Sequence, residues 1–247
     1  ELKQLLADIR KCKHCEKHLP MGARPVLAAS TSAKILIVGQ APGIRVHNTG
    51  IPWNDRSGQS LKSWLDVTDE EFYNKDLFAT IPMGFCYPGK NPKGGDLPPR
   101  KECAPEWHPP LFEQLKNVKL TLLIGAYAQK YYLKKNRKKN LTETVRNFQE
   151  YLPKYLPLPH PSPRNNIWMA KNEWFKHLVL PELKIRIQNY IIGFNYVHVT
   201  ARIKQNFFAI KKAIAEGIMP NPAKQQHIYP IILRTIIIVP FGNFSFS

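Results

Sequence analysis

Acidic residues are the scarcest chemistry in this sequence. Eighteen Asp and Glu stand against 36 Lys and Arg in 247 residues, a formal charge of +18 with an isoelectric point near 9.8. A balance that basic points to an anionic partner, nucleic acid before a membrane surface. Long apolar runs are missing too. The most hydrophobic stretch, IYPIILRTIIIVP (228–240), is broken by proline and arginine and falls short of the roughly 18 residues that a membrane span needs. The first residues, ELKQLLADIRKCKHCEKHL, are charged and contain no apolar leader core, so a cytoplasmic protein without a membrane partner is expected. There are only four cysteines. In that compartment they suit metal ligation or a core better than disulfides. Internal repeats are absent, which excludes solenoids and propellers. A glycine-rich phosphate cradle is absent, which argues against a nucleotide-binding or redox protein. The apolar fraction, 43%, is that of a folded domain.

What is present reads as alternating strands and helices. Leu2, Leu5 and Leu6 give residues 2–10 a helical stripe, and KILIVG (34–39) is a continuous apolar run of the kind a buried parallel strand shows. A Pro/Gly loop leads to a helix from about Ser57, with Leu61, Trp64 and Leu65 on one face. LFATIPM (77–83), LTLLIG (120–125) and YLPLPHPS (155–162) are the remaining strand candidates, the last running into a loop. Helices are expected after residue 125, over ETVRNFQEYL (143–152) and over NEWFKHLVLPEL (172–183), while 84–99 and KKNRKK (134–139) read as loops. This pattern predicts an α/β fold of three α/β/α layers around a four-stranded parallel sheet, with ligands at the carboxyl ends of the strands. Residues 1–187 form the expected domain. From 188 the composition changes, and 188–247 reads as an extension of unknown role.

Two of these loops carry recognisable motifs. The first is GQAPGIRVHNTGIPWNDRSGQSL (39–61), and the second is LPHPSPRN (158–165). Together, at the ends of an early and a late strand, they resemble the two active-site motifs of the uracil-DNA glycosylase superfamily, and the first loop is closest to its iron–sulfur branches. The resemblance covers roughly residues 1–185. It implies a DNA glycosylase that hydrolyses the N-glycosidic bond of a flipped-out uracil or other deaminated base, acting as a monomer in base-excision repair. The alternative is a non-catalytic binder of such DNA with the same fold.

The resemblance also assigns residues. His160 would hydrogen-bond the departing base and stabilise its negative charge. Asp55 would orient water, a role that competes with capping the following helix. Trp53 would stack on the base, and Gly39, Gln40, Ala41, Gly43 and Asn54 would line its pocket. Ala41 stands where some members carry the water-orienting acid. Pro82 stands where the iron–sulfur branches carry a uracil-reading Asn, which leaves Asn54 or the backbone of Met83–Phe85 to substitute. Ser162, Arg164 and Arg56 would grip DNA, with Arg45, Arg100 and the 134–139 run as further candidates. Cys12, Cys15, Cys86 and Cys103 resemble the four ligands of a 4Fe–4S cluster in those branches. A four-cysteine zinc site, or four unrelated thiols, fits the same spacing.

Overall fold

The computed structural model describes residues 1–194, so residues 195–247 of the expected extension lie outside the described residues. Helix α1 (Leu2–Arg10) precedes β1 (Ile35–Val38). Three short helices follow, α2 (Ile44–Thr49), α3 (Arg56–Leu65) and α4 (Asp69–Tyr73), and then β2 (Phe78–Thr80). Next come α5 (Cys103–Gln114), β3 (Leu120–Ile124), α6 (Gly125–Leu133), α7 (Leu141–Arg146), β4 (Tyr155–Leu158) and α8 (Asn166–Lys171). A π-helical turn, Phe175–Val179, continues as helix over residues 180–194.

The four strands form one sheet in the order β2-β1-β3-β4, and every pairing is parallel. Successive side chains of a strand point to opposite faces, and this chain uses both. Ile35, Ile37, Leu120, Leu122, Ile124, Leu156 and Leu158 face a core closed by α3, α4, α7 and the last helix. Leu36, Val38, Ala79 and Leu123 face a second core closed by α1, α5 and α6. Strands buried on both sides are apolar almost throughout, with only Thr80 and Thr121 breaking them here, which is why they read as nearly continuous runs. Pro157 cannot donate to a ladder, and it sits in β4 at the sheet edge, opposite Leu123. The three-layer expectation therefore holds.

Several details differ. Helix α5 has no counterpart among the expected elements, and Pro105, Pro109 and Pro110 would argue locally against a helix over CAPEWHPPLFEQ. It forms because tertiary burial of Ala104, His108 and Leu111 outweighs the lost donors. The helix expected over 143–152 starts at the Asn140 cap, whose side chain accepts from Glu143 N–H at 2.8 Å, and stops at Arg146. The Asn147 amide takes the Glu143 carbonyl at 2.9 Å, and a 3₁₀ turn, Phe148–Tyr151, replaces the rest. The last helix begins with a π turn just before Pro181, which has no N–H for a regular bond. The boundary expected at 187 falls inside this helix, and Ile191 and Phe194 complete the first core. Among the described residues no helix is long and apolar enough to cross a membrane.

Candidate active site

The chain order reverses between β1 and β3, and a cavity of about 420 Å³ opens at the carboxyl ends of the strands there. The two motif loops meet in it, although about 100 residues separate them. Gly39, Gln40, Ala41, Gly43, Trp53 and Asp55 line it from the first, and His160, Ser162, Arg164 and Asn165 from the second. Asn54 and Arg56 do not line it. Asn54 donates its backbone N–H to Ile51, and Arg56 is exposed on the first turn of α3 beside the rim.

Trp53 is held by two glycines. A Cβ on Gly39 would come within 2.8 Å of its indole, and a Cβ on Gly58 would overlap its carbonyl oxygen. The indole therefore packs closely against the exit of β1, and α3 starts directly against the Trp53 carbonyl. The cost is a left-handed backbone at Trp53, φ 57°, a conformation that non-glycine residues adopt mainly where the surroundings dictate it. Its ring centroid is 5.9 Å from that of His160, tilted by 35°.

Asp55 caps the following helix, as one of its two expected roles requires, and it also lines the cavity. Its Oδ1 accepts from Gly58 N–H at 2.8 Å and caps α3, while Oδ2 faces the cavity beside Gly43. His160 follows β4, its backbone carbonyl held by the Asn165 amide at 2.6 Å. Buried Gln129 ties the ends of β3 and β4 together through the carbonyls of Leu123 and Leu158. Burial holds the His160 imidazole below its usual range, partly offset by the Asp55 carboxylate.

A third wall was not foreseen. Asp96, on the loop between β2 and α5, enters the cavity beside Gly43. Burial of its inner side pushes its carboxyl above the usual range; Arg164 and Lys90 pull it down and Asp55 pushes it up. The Gln40 amide donates to Leu97 carbonyl at 3.1 Å and fastens this loop to the first motif. The sequence signal was KNPKGGD, an Asx turn with two glycines, which predicts a chain that folds back on itself. Asn165 was missed although it lies within the second motif.

The backbone groups expected to read a base at 83–85 are already engaged. Met83 N–H donates to Gly39 at 2.9 Å, Gly84 N–H to Gln40 at 3.0 Å, and Phe85 N–H to Cys103 Sγ at 3.4 Å. Pro82 lines the cavity without an N–H, and its carbonyl pairs with His108 Nε2 at 3.0 Å. His108 Nδ1 in turn meets the Tyr132 hydroxyl.

Behind this wall lies a second cavity, about 20 Å³ and mostly apolar. Cys12, Cys15, Cys86 and Cys103 line it together with Phe85 and Trp107. Among the described residues no three Cys, His, Asp or Glu side chains are already drawn into a coordination sphere. Burial pushes the Cys86 thiol up to about 11 and that of Cys103 up to about 12. Four sulfur donors around one apolar space are nonetheless the donor set that a soft metal group takes. Arg100 belongs to this second cavity, paired with Glu102 at 2.9 Å, rather than to a DNA groove.

The basic run 134–139 lies at the other end of the sheet. Helix α6 carries the chain back from the carboxyl end of β3, and Asn136 and Lys138 bond Tyr151 and Glu150 shortly before β4 begins. It therefore does not border the cavity.

The arrangement offers a half-buried imidazole, two carboxylates and an aromatic face around one opening, with an arginine at its mouth. A comparison with protein-family models matches residues 27–184 to the Uracil DNA glycosylase superfamily. That span holds every residue lining the motif cavity except Val26. On this match over well more than half of its length, the chain belongs to the uracil-DNA glycosylase superfamily.

Proposed function

We propose that this protein is a monofunctional DNA glycosylase that hydrolyses the N-glycosidic bond of a flipped-out uracil or other deaminated base. One observation carries the reading: Asp55 and His160, from loops far apart in sequence, line the same cavity. The base, once out of the stack, lies against Trp53, a contact worth about 1–3 kcal/mol. As the bond from C1′ to the base breaks, negative charge grows on the base oxygens. His160, kept neutral by burial, donates to one of them. Asp55 Oδ2 orients the water whose oxygen bonds to C1′, and the water's proton ends on the released base. Ser162 and Arg164 at the mouth meet the phosphates flanking the gap.

Cys12, Cys15, Cys86 and Cys103 fit a 4Fe–4S cluster. When bound, it supplies a cross-link between the end of α1 and the segment 84–103, and no step of base release runs through it. Zinc on the same thiols would supply the same cross-link.

The test is incubation with labelled oligonucleotides containing uracil, hypoxanthine or xanthine in EDTA, followed by alkali. Strand breaks that appear only after alkali are expected. Selective binding without cleavage would make the protein a damage-binding module instead, and cleavage that requires added Mg²⁺ would overturn the mechanism.

A further inference from the structure

Deamination of cytosine or adenine turns a ring nitrogen that accepted a hydrogen bond into an N–H that donates one. Cytosine N3 becomes uracil N3–H, and adenine N1 becomes hypoxanthine N1–H. A site that selects deaminated bases needs an acceptor aimed at that N–H. The backbone groups expected to read a base supply no acceptor here. The N–H groups of Met83, Gly84 and Phe85 are donors in any case, and all three are engaged. Asn54 does not line the cavity, and the Asn165 side chain is turned by the bond that its NH2 donates to the carbonyl of His160.

Asp96 is free. Neither of its carboxylate oxygens accepts a hydrogen bond from a described residue, and its Oδ2 lies 3.4 Å from the point that a Cβ on Gly43 would occupy. The absent side chain at Gly43 therefore leaves an opening with the Asp96 carboxylate on one side and Asp55 Oδ2, at 3.8 Å from the same point, on the other. The chain has built this presentation deliberately. Asn91 N–H bonds the Gly95 carbonyl at 2.9 Å, Leu97 N–H bonds Gly89 at 2.8 Å, and the backbones of residues 90 and 96 pair antiparallel across the turn. Gln40 fastens the turn to the first motif, and the Arg164 guanidinium packs against Gly95 from the second. The turn that carries the carboxyl is thus fastened from both motif loops.

We infer that Asp96 is the residue that tells uracil from cytosine and hypoxanthine from adenine, accepting a hydrogen bond from the lactam N–H of the deaminated base and repelling the ring-nitrogen lone pair of its parent. The inference rests on the glycosylase reading for its substrate class, but recognition can be measured without cleavage.

The experiment is equilibrium binding of the full chain to oligonucleotides carrying one 2′-fluoro-2′-deoxyuridine or 2′-fluoro-2′-deoxycytidine, whose glycosidic bonds resist hydrolysis. Wild-type protein, Asp96→Asn and Asp96→Ala are compared, with thermal melts to confirm folding. A charge-assisted hydrogen bond predicts that the wild type prefers the uracil oligonucleotide by about 10- to 100-fold. Asp96→Ala should erase the preference. Asp96→Asn, whose amide can donate to a ring nitrogen as well as accept, should narrow the preference by raising affinity for the cytosine oligonucleotide. A wild-type protein that binds both oligonucleotides alike overturns the inference, and so does an Asp96→Ala variant that keeps the wild-type preference. Preference that depends on Asp96 in a protein that cleaves nothing would uphold this inference while sinking the glycosylase reading.

Discussion

The two cavities share a wall and differ in almost everything else. The segment 84–103 contributes Gly95 and Asp96 to the large cavity and Phe85, Cys86 and Cys103 to the small one. The large one is open and polar, and its carboxylate and imidazole groups keep hydrogen-bonding capacity in reserve. The small one is tight and apolar, its reactive groups are thiols, and burial raises those of Cys86 and Cys103. Unspent polar capacity at the carboxyl end of a parallel sheet is where chemistry is done. Buried sulfur donors on separate segments hold segments together. The two should therefore separate in experiment: changes in the first reduce rate, and changes in the second reduce stability.

The sharpest separation is at His160. Replacing it with Ala should lower single-turnover cleavage by about 10²–10³, the loss expected for one donor to a developing anion. The melting temperature should hardly move, because the loop is fixed by Asn165 through the backbone carbonyl of His160, which the substitution keeps. A near-normal rate would remove His160 from the mechanism.

The opposite outcome is expected at Cys103. With the cluster bound, the protein should be brown, with iron and sulfide each approaching about four per chain. Cys103→Ser should bleach it and lower stability by on the order of 3 kcal/mol, the scale of losing a cross-link that closes a long loop. Rate per folded molecule should fall much less. Colourless protein with one zinc per chain would keep the cross-link and change its identity. Colourless, metal-free protein with four alkylatable thiols would break the comparison.

How much of this could be read beforehand follows the same division. The strands were legible because a parallel strand buried on both faces is apolar almost throughout, as Ile35–Val38 is and Leu120–Ile124 is apart from Thr121. The motif loops were legible because glycine and proline there answer to backbone geometry, as Gly39 and Gly58 do for Trp53. Helix α5 was not, since its prolines contradict it locally and only its burial explains it. Asp96 was not either. One acid in a loop carries no periodicity, and its position depends on a turn whose anchors, Gln40 and Arg164, come from elsewhere in the chain. Helix α4 could have been read: Thr68 and Glu71 form a capping box, a signal present in TDEE itself.

His108 links the two cavities and gives a third test. Its Nε2 meets the Pro82 carbonyl in the wall of the large cavity, and its ring stacks at 5.7 Å on Phe85, which lines the small one. Burial lowers its pKa to about 4. The unfolded chain takes up that proton near 6.5 and the folded one resists it, so stability is full above 6.5 and declines as the pH falls toward 4. Between pH 7 and pH 5 this histidine alone should remove about 2 kcal/mol. Burial shifts His47 and His160 in the same direction. Urea unfolding at the two pH values measures the loss, and His108→Gln should flatten the slope. A wild type equally stable at both would contradict the buried neutral state.

The smallest effect tests the boundary of the open cavity against the rest of a basic surface. With +18 of formal charge, almost any cation can be imagined on DNA. The fold separates two of them. Arg164 stands at the cavity mouth against Gly95, whereas Lys135 is exposed on the turn after α6, at the amino end of the sheet. If phosphates approach only the mouth, Arg164→Ala should weaken binding to uncleavable uracil-containing DNA by about 1 kcal/mol and reduce the salt slope by about one ion. Lys135→Ala should change neither, because a charge on the far side of the domain is screened beyond about 10 Å at ordinary ionic strength. Titrations of both variants at several salt concentrations decide this. Equal losses for the two would mean that DNA is held by the general field of a basic protein, and the cavity mouth would lose its claim to be the contact surface.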